Sequence, residues 1–74
     1  MTYFFRLKGK SPALDTYLLN VTIHEEDKTH ELSHVLYHPT FGFCDSRLLE
    51  MNGLDLGSLH QDCREYLREQ GVLK

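Results

Sequence analysis

THELSHVLYHP, residues Thr29 to Pro39, decides both the fold and any chemistry, because it holds three of the five histidines of the 74-residue chain and spells His30-Glu31-Leu32-Ser33-His34. That H-E-x-x-H spacing has chemical meaning only on a helix. There, residues i and i+4 project from one face, two imidazoles share a tetrahedral zinc, and the glutamate polarises the metal-bound water. On a strand the two histidines stand about 13 Å apart, at roughly 3.3 Å per residue, and cannot share an ion. Read as a helix, the stretch has Asp27 or Thr29 as its N-cap, Leu32, Val35 and Leu36 on one stripe, and Pro39 as its stop. Read as a strand, it puts Leu32, His34 and Leu36 on one face and Ser33, Val35 and Tyr37 on the other, a weaker alternation of ordinary strand length. We favour the strand and keep a helical zinc site at His30 and His34, with Glu31 as base, as the alternative.

The residues His30 to Pro39 resemble the active helix of zinc-dependent metallopeptidases and, more locally, the motif helix of small peptidases that regulate mobile elements. The resemblance implies His30 and His34 as metal ligands, and it stops at Pro39. His38 does not complete the set, since on an unbroken helix it lies about 12 Å along the axis from His30. Cys44, or His60 with Cys63, would have to converge on the pair from elsewhere in the chain.

Working upstream, Tyr17, Leu19, Val21 and Ile23 alternate with Leu18, Asn20, Thr22 and His24, the pattern of a half-buried strand over Thr16–His24. Glu25-Glu26-Asp27-Lys28 joins it to the Thr29 stretch as the charged loop of an antiparallel hairpin. Tyr3, Phe5 and Leu7 alternate with Phe4, Arg6 and Lys8 in a first strand ending near Gly9, and Lys10-Ser11-Pro12-Ala13 reads as a turn.

Downstream, Phe41-Gly42-Phe43-Cys44 is a short strand or a loop packed on the core. Asp45 caps a short helix from Ser46 to Met51 that Asn52-Gly53 closes, or else Asn52-Gly53 is a hairpin turn between Leu48–Met51 and Leu54–Leu56; we favour the helix. Phe41, Phe43, Leu48, Leu49 and Met51 read as core residues. Leu56, Leu59, Cys63, Tyr66 and Leu67 form one apolar stripe of an amphipathic helix over 56–70, with Ser58 and Gln61 as a capping box and Gly71-Val72 as its stop. Cys63 sits on that stripe as a small core residue. The expected fold is a single α+β domain: an antiparallel sheet of three or four strands in meander order, with the C-terminal helix packed across one face.

The formal charge of −3 is unevenly spread: residues 1–14 carry Arg6, Lys8 and Lys10 and no acid, while residues 15–62 carry nine acids against Lys28 and Arg47. This balance argues against nucleic acid as the main partner, although a ridge of Arg6, Lys8 and Lys10 would bind it with an affinity that falls steeply with salt. The opening MTYFFRLKGK interrupts any leader-like apolar run, and no stretch approaches the ~18 apolar residues of a membrane span. The reading is a cytoplasmic protein with reduced thiols and no membrane partner. A core of this size encloses little space for an active site, and no phosphate loop, serine elbow or cofactor motif is present. The sequence therefore points to a non-enzymatic protein-binding module of the regulator or inhibitor type made by phages and mobile elements, acting on a partner protein or as a homodimer. Its docking residues are expected to be Arg6 and Lys8 on the first strand, or Tyr37, Phe41 and Phe43 as aromatic anchors.

Overall fold

A computed structural model describes residues 1–11 and 15–73. Four strands, β1 (Thr2–Ser11), β2 (Thr16–His24), β3 (Thr29–His38) and β4 (Gly42–Phe43), form one antiparallel sheet in that order. A one-turn helix α1 (Ser46–Leu49) and the long helix α2 (Leu56–Glu69) follow. This is the α+β meander with a C-terminal helix expected from the sequence. Pro12 and Ala13 of the expected first turn lie outside the described residues. No helix among the described residues is long and apolar enough to cross a membrane.

The Thr29 stretch is a strand along its whole length, paired with β2 from His24↔Thr29 to Tyr17↔Tyr37. Its alternation is broken once. Between Leu32 and Val35 two residues, Ser33 and His34, stand opposite the single Asn20, and His34 takes a left-handed conformation at φ +57°. The Asn20 Oδ1 accepts the His34 N–H at 3.4 Å, and the Arg47 Nη2 donates to the Ser33 carbonyl at 2.8 Å, so both halves of the bulge are held by side chains. Residues directly opposite share a face. His30 and Leu32 therefore lie with Ile23 and Val21, and Val35 and Tyr37 lie with Leu19 and Tyr17, all towards α2. Leu36 faces the open side opposite Leu18, so the unbroken alternation that grouped Leu32, His34 and Leu36 is corrected by one inserted residue.

Left-handed backbone costs a non-glycine residue about 1–2 kcal/mol. His34→Gly is therefore expected to stabilise the fold by about 1 kcal/mol and His34→Val to destabilise it more strongly. Urea denaturation of the two variants checks the sign of each.

The core lies between the sheet and α2. Tyr17, Leu19, Val21 and Ile23 of β2 and Val35 and Tyr37 of β3 meet Leu59, Cys63 and Leu67 of α2, with Leu48 of α1 closing one end. Each fully buried aliphatic side chain contributes about 1.5–3 kcal/mol. The stripe read from the sequence thus faces inward, flanked by Leu56 and Tyr66. Asp55, rather than a Ser58/Gln61 box, caps α2: its carboxylate accepts the Ser58 N–H at 3.1 Å. At the other end Gly71, at φ +80°, donates to the Arg68 carbonyl while the Val72 N–H reaches back to Leu67, satisfying two terminal carbonyls. Two tyrosine hydroxyls tie helix to sheet, where Tyr66 accepts the Leu7 N–H and Tyr37 donates to the His60 carbonyl, and a third, that of Tyr17, donates to the Val72 carbonyl just beyond α2.

Candidate protein-docking groove

Pro39 cannot extend a ladder, and the chain turns directly after β3. The His38 Nδ1 organises the turn by accepting the backbone N–H groups of Thr40 at 3.0 Å and Phe41 at 3.2 Å. Its ring also packs against the Phe41 ring, with centroids 4.6 Å apart. Gly42, at φ +91°, then reverses the chain into β4, a conformation that side chains rarely adopt. The two phenylalanines flanking it consequently point to different environments. Phe43 lies against Tyr37 at 4.7 Å, while Phe41 is 81% exposed.

The same division recurs in α1. Asp45 caps this helix by accepting the Arg47 N–H and also binds the Arg47 guanidinium, which holds its carboxyl below the usual carboxylate range. One turn has one inward position: Leu48 fills it, and Leu49 is left 66% exposed. Between these elements and the start of α2 lies a groove of about 320 Å³, lined by Phe41, Phe43, Leu49, Leu56, Gly57 and His60. The His60 Nδ1 has no hydrogen-bond partner among the described residues, but it is buried against Gly42 and presents no surface to the groove.

The expected docking residues divide. Phe41 and Phe43 come together at the groove. Tyr37 is corrected from anchor to floor: it is 0% exposed and supports Phe43 and the His60 ring from beneath. Phe41 and Leu49 leave the core expected of them. Arg6 and Lys8 lie on β1, at the opposite end of the strand order, and contribute nothing to this groove. Leu49, Leu56 and His60 join it without a sequence signal, because their meeting is made by the packing of α1 and α2.

The zinc reading loses its geometry with the helix. His30 faces α2 beside Ile23 and its Nε2 meets the Glu25 carboxylate at 2.8 Å, whereas His34 sits in the bulge. Among the described residues no three His, Cys, Asp or Glu side chains converge as ligands, and Cys44 and Cys63 do not approach the pair. Burial pushes the Cys63 thiol up to about 12, while Cys44 is exposed. A thiol reagent at neutral pH is therefore expected to label Cys44 in the folded protein and Cys63 only after denaturation, which mass spectrometry of the labelled peptides resolves.

No protein-family model matches the chain, and neither a curated protein nor a solved structure matches it.

Proposed function

We propose that the chain is a non-enzymatic protein-binding module, a cytoplasmic regulator or inhibitor of the kind carried by phages and mobile elements, which docks on a partner protein through the Phe41–Leu49 groove. The observation that carries this reading is the exposure of Phe41 and Leu49 on two separate elements that flank one groove. Exposed apolar side chains grouped around a concavity are the usual mark of a contact surface. Phe41 is also pre-positioned by the tilted contact of its ring with His38, so less side-chain freedom is lost when a partner covers it. The occupant that fits is an apolar side chain of the partner, seated between Phe41 and Leu49.

A double variant, Phe41→Ser with Leu49→Ser, is expected to keep its stability within about 0.5 kcal/mol, because both side chains are exposed, and to lose partner binding. The test places a photo-crosslinking phenylalanine analogue at position 41 and isolates the adduct from host cells. A single adduct competed away by unmodified protein, but not by the double variant, supports the groove. Equal competition by the double variant removes it.

A further inference from the structure

The other end of the sheet carries a second surface, which goes beyond the docking groove. We propose that the outer edge of β1 binds an extended peptide, in which basic and apolar residues alternate, as a fifth strand of the sheet.

β1 is ten residues long and stands last in the strand order, and among the described residues no strand pairs with its outer side. The Leu7 N–H points outward, since it reaches the Tyr66 hydroxyl at 2.9 Å. In an antiparallel ladder every second residue points its backbone groups the same way, and the register from Tyr3 to Leu7 is unbroken. Tyr3 and Phe5 therefore also present N–H and C=O groups outward, and no hydrogen bond among the described residues takes them up. The Tyr66 hydroxyl and the register shift between Leu7 and Gly9 end this free edge on one side.

A groove of about 390 Å³ runs beside the edge. Its wall on the sheet is Tyr3, Phe4 and Phe5; its wall on α2 is Tyr66 with Asp62, Glu65 and Glu69. Glu65 is bound to Arg68 at 2.6 Å, whereas Asp62 and Glu69 form no salt bridge among the described residues. An added strand sends alternate side chains to the two faces of the sheet. On the α2 face lysine or arginine meets the carboxylates, and on the open face an apolar side chain meets Phe4, which is 55% exposed.

A second copy of the chain fits this edge poorly. A two-fold junction of β1 with β1 keeps both helices on one face, and so sets Asp62, Glu65 and Glu69 against the same residues. Such like-charge contacts oppose association.

The test uses the intact protein and an acetylated, amidated heptapeptide alternating lysine with valine, titrated at low salt and followed by NMR. Exchange of the Tyr3 and Phe5 amide protons is expected to slow about tenfold on saturation. Asp62→Lys with Glu69→Lys, on exposed helix positions whose fold circular dichroism verifies, is expected to weaken binding about tenfold, and the matching glutamate–valine peptide should not bind. Absence of binding overturns the proposal, as does unchanged exchange at Tyr3 and Phe5 or full affinity in the double variant. A peptide-free dimer with those two amides already protected also overturns it, since a second copy would then hold the edge.

Discussion

Tyr37→Ala is expected to lose about 3–5 kcal/mol of folding stability, while Tyr37→Phe loses only about 1 kcal/mol. At ~0.05–0.15 kcal/mol per residue, a chain of this length has roughly 4–11 kcal/mol in all, so the alanine variant is left with little or nothing. Tyr37 is the largest fully buried side chain. It stands opposite Tyr17 on β2 and Phe43 on β4, and its ring meets the His60 ring at 5.3 Å, so sheet and helix both lose contacts in the alanine variant. The hydroxyl matters less: its bond to the His60 carbonyl is 3.3 Å long, near the weak end of the range. Burial raises its pKa and so favours the neutral, donating hydroxyl. Urea denaturation decides the point. A Tyr37→Ala midpoint close to that of the unaltered chain would mean that the ring does not carry the core. Binding lost by this variant reports unfolding, whereas binding lost by the exposed Phe41/Leu49 pair reports docking.

The burial of Tyr37 also marks where the sequence stops being legible. β2 has inward residues at every second position without interruption, and α2 has one stripe at helical spacing; both could be bounded from the sequence alone. β3 has the inward pair Leu32 and Val35, three residues apart, because the bulge adds one residue to a two-residue repeat. With Leu36 beside them these residues imitate a helical stripe, and that imitation kept the zinc helix open as an alternative. The groove was half legible. Phe41 and Phe43 stand out as a segment in the sequence, but the positive φ of Gly42 decides which of them is exposed, and a one-turn helix decides between Leu48 and Leu49. Leu56 and His60 enter only through the position of α2. In the sequence the free edge of β1 shows only its basic ridge; the carboxylates that line its other side are contributed by a helix more than 50 residues later in the chain.

Deleting His34 is expected to leave the protein folded, whereas deleting Leu36, two residues later, is expected to destabilise it by about 3–6 kcal/mol. Without His34, Ser33 stands opposite Asn20, Leu32 stays opposite Val21 and Val35 stays opposite Leu19. The ladder becomes regular, every inward residue keeps its face, and the left-handed residue disappears. What is lost is the 3.4 Å bond from the His34 N–H to Asn20 and the local bend. Without Leu36, the bulge can be kept only by turning Tyr37 to the open face. The remaining choice is a regular ladder that places His34 opposite Leu19, where Val35 was. The first exposes the largest core side chain; the second exchanges a buried valine for an imidazole with no partner in that layer. The two deletions shorten the same strand by the same amount, so loop length and chain entropy nearly cancel between them. Their difference in urea midpoint isolates side-chain phase, and equal midpoints would show that the Ser33–His34 bulge does not set which face of β3 is buried.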